Sequence, residues 1–123
     1  MNTDFFSKAL ENLRAAEALS ELGLFNSAAN RAYYAAFQAA LAVITVKGLQ
    51  PHTDHAKVQA TFNGEVIRRS KYITASFKRY LLEMQNIRNI ADYETISISK
   101  RKAEKQLAMA QEFITIIAKE IQQ

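Results

Sequence analysis

Apolar residues recur every three to four positions along most of this chain, the spacing that builds one face of a helix rather than a strand. A first helix is predicted from about Asp4 to Leu22, with Thr3 as its cap, Asp4 at the positive end of its dipole and Gly23 as its stop. Phe6, Leu10, Leu13 and Ala16 form its stripe. Phe25-Asn26-Ser27 restarts the chain, and a second helix runs to about Lys47. It is apolar on nearly every side, which suits either a membrane or the centre of a bundle. Asn30, Arg31, Gln38 and Lys47 favour the bundle, and its many alanines let neighbouring helices approach closely.

Gly48 and Pro51 break that pattern, and Thr53 or Asp54 can cap a short third helix with His55, Val58 and Phe62 on one face. Asn63-Gly64 reads as a turn that ends it. Residues 65–73 suit either a helical extension or an irregular connection. A fourth helix is predicted from Thr74 to Asp92, with Phe77, Tyr80, Leu81, Met84, Ile87 and Ala91 on its apolar face. Ile96 and Ile98 alternate with Thr95, Ser97 and Ser99, as in a short extended connector. After Ser99 a last helix repeats Ala103, Leu107, Ala110, Ile114, Ile117 and Ile121, the seam of an antiparallel bundle. The expectation is an all-α, up-and-down bundle of four to five helices, in one domain over residues 1–123.

Composition narrows the function. With 123 residues the chain can bury a core without staples. The absence of cysteine excludes a disulfide scaffold, thiolate metal sites and a cysteine nucleophile. No apolar run reaches the ~18–20 residues that cross a bilayer. The start, Met1-Asn2-Thr3-Asp4, lacks the basic-then-apolar order of a secretory signal, so a cytoplasmic protein is expected. There is no glycine-rich phosphate loop, and no cofactor is expected. His52-x-x-His55 has no evident third ligand, so no metal is expected either.

The formal charge is +4, with its excess in residues 48–93, where seven basic side chains face four acidic ones. A local excess of this kind can hold an anionic ligand such as RNA or a nucleotide. Arg68-Arg69-Ser70-Lys71-Tyr72 and Lys78-Arg79-Tyr80 interleave cations with aromatics, so Arg68, Arg69, Lys71, Lys78 and Arg79 are candidate phosphate contacts. Lys100-Arg101-Lys102 places three cations in a first helical turn, against the dipole, where a bound anion would relieve the cost. The stretch Arg88-Asn89-Ile90-Ala91-Asp92-Tyr93 puts Arg88 and Asp92 on one helical face, and Asn89 and Tyr93 likewise four apart. A guanidinium there can stabilise phosphoryl charge, with an adjacent amide to orient it. The same spacing also suits a plain helix-end ion pair.

Asn30-Arg31-Ala32-Tyr33-Tyr34-Ala35-Ala36-Phe37, His55-x-x-Val58-x-x-x-Phe62 and Arg88-x-x-Ala91-Asp92-Tyr93 together resemble, in order and spacing, the small bacterial HEPN-domain proteins. The likeness covers almost the whole chain. It implies a helical bundle, usually a homodimer with the arginine-bearing helix end near the twofold axis. Many HEPN proteins are metal-independent endoribonucleases with an Arg-x4-6-His motif. Others bind RNA or nucleotide without cleaving. Some work in toxin–antitoxin modules beside a nucleotidyltransferase that modifies a tyrosine near the motif. Here Arg88 matches the motif arginine and Asn89 the polar residue after it. Tyr93 stands where the histidine would be, and Thr95 where the modified tyrosine would be. A phenol is a poor base near neutrality but can donate a proton. His55 would substitute only if the fold brought it to Arg88. The leading expectation is therefore an RNA- or nucleotide-binding module using Arg88, Asn89, Asp92 and Tyr93. A ribonuclease using Arg88 and Tyr93, and a protein-interaction bundle, are the alternatives.

Overall fold

In the computed structural model, residues 4–122 are described; the Thr3 cap lies outside them. Helix α1 spans Asp4–Glu21 and α2 spans Phe25–Val46. Gly23 takes φ +76°, and the Leu24 and Gly23 N–H groups donate back to Leu19 and Ser20, which closes α1 in a Schellman turn. So short a link makes α1 and α2 antiparallel neighbours. Gly48, also at φ +76°, ends α2 by the same device.

Helix α3 spans His55–Thr61, and Asp54 caps it by accepting from the Lys57 N–H. The chain does not turn at Asn63-Gly64. It continues through a π segment, Phe62–Val66, into a single turn α4, Ile67–Arg69. The reason lies in the spacing of Val58, Phe62 and Val66. Each is four residues from the next, and a wider turn keeps all three buried on one face. Residues 65–69 are thus helical.

The fourth predicted helix starts later than its pattern suggested. Ala75–Phe77 is a 3-10 turn, and α5 spans Tyr80–Tyr93. Three-residue periodicity there stacks Phe77 beside Tyr80, 4.8 Å apart, and both lie against Phe113. Helix α6 spans Lys100–Ile121, and Ser99 caps it by accepting from the Lys102 N–H. No strand occurs among the described residues, and the fold is an all-helical bundle.

Helix α2 packs against α1, α5 and α6, and most of its alanines are fully buried. On α1 the buried positions are Ala9 and Ala16, while Leu10 turns outward. On α6 the buried line is Ala103, Gln106, Ala110, Phe113, Ile117 and Glu120, with Leu107 and Ile121 only partly covered. Gln106 earns its place by donating from Nε2 to the Ala29 carbonyl at 3.2 Å and the Met84 carbonyl at 2.9 Å. It ties α6 to α2 and α5 at once. The connector is not uniformly extended: it bends over residues 94–96, with Ile96 exposed and Ile98 buried. Ile98, Ala29 and Ala103 form a small second core, packed by Phe25, Ile87, Ile90 and Ala91, at the end where α2 starts and α5 stops. Among the described residues, no helix is long and apolar enough to cross a membrane.

Candidate functional site

The last turns of α5 and the first turns of α2 lie side by side, and this is where the polar residues of both helices gather. Arg88 is buried, only 9% exposed. Its guanidinium carbon sits 5.4, 5.6 and 5.8 Å from the ring centroids of Tyr33, Tyr34 and Tyr93. A terminal nitrogen donates to the Tyr34 hydroxyl at 3.4 Å and faces Asp92 Oδ2 at 3.7 Å, while Nε is buried without a hydrogen-bond partner. Asp92 Oδ2 also accepts from Asn30 Nδ2 at 2.9 Å, so α2 and α5 are joined through that carboxylate.

On the other side of Asn30 stands Arg31. Its Nε donates to Asn30 Oδ1 at 2.8 Å, one terminal nitrogen donates to the same oxygen and the other to Asn12 Oδ1 of α1 at 3.0 Å. The guanidinium lies 5.0 Å from the Tyr34 ring centroid. Leu19, Asn26, Ser27, Asn30, Arg31, Ala91, Asp92 and Tyr93 surround a cleft of about 700 Å3. Asn26 braces its outer edge, accepting from the Ile98 N–H at 2.8 Å.

His55 comes to the same cluster from α3. Its ring stacks on Phe37 at 4.4 Å and on Tyr33 at 5.5 Å, and meets Tyr34 edge-on at 6.1 Å. Its Nδ1 shares a 2.5 Å hydrogen bond with the Tyr33 hydroxyl. Burial, and then the charge of Arg88, hold His55 below the ordinary histidine range, so the ring is neutral at pH 7. Burial pushes the Tyr33 phenol up to about 12, against the opposing pull of Gln59 and Arg88. Arg88 and His55 therefore border the same two tyrosines.

The candidates from the sequence divide into two places. Asp92 and Tyr93 line the cleft, with Arg88 buried behind them; Asn89 is exposed and joins none of these bonds. Lys78 and Arg79 precede α5, about 20 Å from Tyr93 at 1.5 Å per residue. Arg68 and Arg69 both pair with Glu65, at 2.8 and 2.9 Å, and Lys71 lies over Tyr72. Arg79 faces Glu83 at 3.7 Å. The structure does not bring these five cations to the cleft. Lys102 lines a separate groove of about 300 Å3 with Lys105, Glu83 and Gln106. No cluster of three metal-ligating side chains occurs among the described residues.

A family model, the HEPN domain, matches residues 3–121. The chain belongs to the HEPN domain family. Two relatives from the archaeon Methanocaldococcus jannaschii are similar to it. One, named "Putative toxin MJ0605", is 36% identical over 115 residues, covering 94% of this chain and 84% of that protein. The other, named "Putative toxin MJ0142", is 34% identical over 98 residues, covering 79% of this chain and 65% of its own length. Within this HEPN chain the cleft is lined by Asn30 and Arg31 of α2 as much as by Asp92 and Tyr93 of the Arg88 motif. Asn30 and Arg31 were visible in the sequence as the polar breaks in an otherwise apolar helix, but their pairing with Asp92 and Asn12 is tertiary.

Proposed function

We propose that this HEPN chain is a toxin-type module that binds RNA or a nucleotide at the cleft between α1, α2 and α5. The observation that supports the reading is Tyr93, a cleft-lining residue that is 73% exposed, with the Arg88 guanidinium carbon 5.8 Å from its ring centroid. An unpaired base needs a π-face to stack on, and its phosphate needs a cation nearby. The cleft volume is in the range that takes a small ligand. The names of the two archaeal relatives support the toxin part; the ligand class rests on the cleft. Tyr93→Ala is expected to weaken binding of a short single-stranded RNA about tenfold, the worth of one stacked base. Its stability, read by urea denaturation, should fall by no more than about 1 kcal/mol, because the residue is exposed and its loss removes one exposed-site cation–π contact with Arg88. Unchanged affinity would remove the reading.

A second reading, endoribonucleolytic cleavage, is favoured by the placement of His55, which borders Tyr33 and Tyr34 as Arg88 does. With the Nδ1–H donating to the Tyr33 hydroxyl, Nε2 is the basic nitrogen that can accept a proton. In that reading the 2′-hydroxyl proton goes to His55, the 2′-oxygen attacks phosphorus under the charge of Arg88, and the Tyr93 phenol protonates the leaving oxygen. Wild type should then cleave RNA in the presence of a chelator and His55→Gln should not. RNA left intact by wild type would leave binding as the function.

A further inference from the structure

The arginines of this chain that have carboxylate partners make a useful contrast with Arg31. Arg68 and Arg69 share Glu65, Arg79 faces Glu83, and Arg88 faces Asp92. Arg31 is half-buried, yet all its hydrogen bonds go to neutral amide oxygens, those of Asn30 and Asn12. No carboxylate among the described residues pairs with it. Amides orient a guanidinium but do not neutralise it, and a cation partly removed from water without a counter-ion is costly. Asp92, the carboxylate of the cleft, is already engaged by Asn30 and Arg88. Two guanidiniums therefore flank Tyr34 against one carboxylate, which leaves an excess of one positive charge in the wall.

Of the two, Arg31 lines the cleft; Arg88 lies behind it under three tyrosine rings. Ser27, one turn before Arg31 on the same face of α2, belongs to the first turn of that helix, which contains no acidic residue. That 22-residue helix thus adds its positive end to the charge of Arg31.

We propose that Arg31 is the phosphate-binding residue of this cleft, taking one phosphate of an RNA strand or of a free nucleotide, while Arg88 holds the wall in place. The assignment rests on the cleft being a site for a phosphate-bearing ligand, as proposed above, and names the group that reads it.

The test uses three probes, a short single-stranded RNA, a nucleoside 5′-monophosphate and its parent nucleoside, titrated at several salt concentrations against the full chain. Arg31→Gln should weaken RNA and the monophosphate at least about tenfold, the worth of a hydrogen-bonded charge, and leave the nucleoside unchanged. The slope of log affinity against log salt for RNA should fall by about 0.7, one single-strand phosphate contact. Because Arg31→Gln also disturbs Asn12 and Asn30, Ser27→Asp serves as the second variant. A carboxylate in the first turn of α2 favours the helix, so the melting temperature should hold or rise while both phosphate ligands bind more weakly. Weaker binding without loss of stability is the opposite of what a structural role would produce. Wild-type affinity and salt slope in both variants would overturn the Arg31 assignment and leave the RNA reading standing. A wild type that binds the monophosphate but not RNA, with both variants impaired, keeps Arg31 and makes the ligand a free nucleotide. A wild type that binds neither overturns both.

Discussion

Arg88→Ala is expected to destabilise the bundle by about 2–4 kcal/mol, measured by urea denaturation, and to weaken RNA binding without changing its salt dependence. The stability loss has three sources. The guanidinium fills the space between Tyr33, Tyr34 and Tyr93, and each well-placed cation–π contact is worth about 0.5–2 kcal/mol. Truncation also leaves a cavity between α2 and α5. Asp92 keeps Asn30 as a partner but loses its countercharge. Arg88→Lys restores the charge near Asp92 but not the planar group that stacks on three rings, so it should recover roughly half of the loss. The binding loss follows from geometry, since Tyr93 would lose the surface behind it. The salt slope is the discriminating readout. It should match wild type in Arg88→Ala if that residue positions the wall, and fall with it if Arg88 itself meets the phosphate.

How much of this molecule could be read from its sequence is clearest on α2 and α6. The apolar run of α2 marked it as the central helix because burial on every side leaves no polar face to misread. The pattern on α6 was misread by one position at two points. Leu107 and Ile121 looked like seam residues, whereas Gln106 and Glu120 occupy the seam. A buried polar side chain is legible only through its partners. Those of Gln106 are carbonyls on two other helices, so nothing local marks it. Asn63-Gly64 failed as a turn for a related reason. A local preference for left-handed backbone lost to the burial of Phe62, Val66 and Ile67 on either side. Gly23 and Gly48 were readable because their conformation is required by the helix ends themselves.

The site was legible in part. Arg88 and Asp92 meet as their spacing of four indicates, whereas Tyr93, which the same spacing paired with Asn89, lies beside Arg88 instead. Nothing in the sequence distance of 33 residues indicates that His55 shares Tyr33 and Tyr34 with Arg88. The basic clusters lie elsewhere. Charge counted along the chain favoured Arg68, Arg69 and Lys71; Glu65 pairs with both arginines and offsets one of their two charges, and the group lies away from the cleft. Arg31 lies in a segment whose charges balance, and it became a candidate only once its partners proved to be uncharged.

Glu120→Ala should cost about 3–5 kcal/mol, the usual consequence of breaking a buried pair and stranding its partners. The Glu120 side chain is fully buried near the end of α6. It accepts from Lys47 Nζ at 3.0 Å, from the Tyr72 N–H at 2.7 Å and from the Lys71 N–H at 3.3 Å. One carboxylate thus fastens the end of α2 and the loop after α4 to α6. Alanine would leave an ammonium and two backbone donors short of an acceptor, whereas Glu120→Gln keeps one oxygen and should cost about 1–3 kcal/mol. Burial alone would raise the pKa of this carboxyl, but the Tyr72 N–H, the Lys47 ammonium and the Lys71 N–H outweigh it and hold the group below its ordinary 4.5. A carboxylate depressed on folding stabilises the protein above its unfolded pKa, and that contribution fades as the pH falls through the folded value. Urea midpoints of wild type should therefore drop as the pH falls below about 4.5, and Glu120→Gln should drop less over the same window. Equal pH dependence in the two proteins would mean that another carboxylate governs acid unfolding.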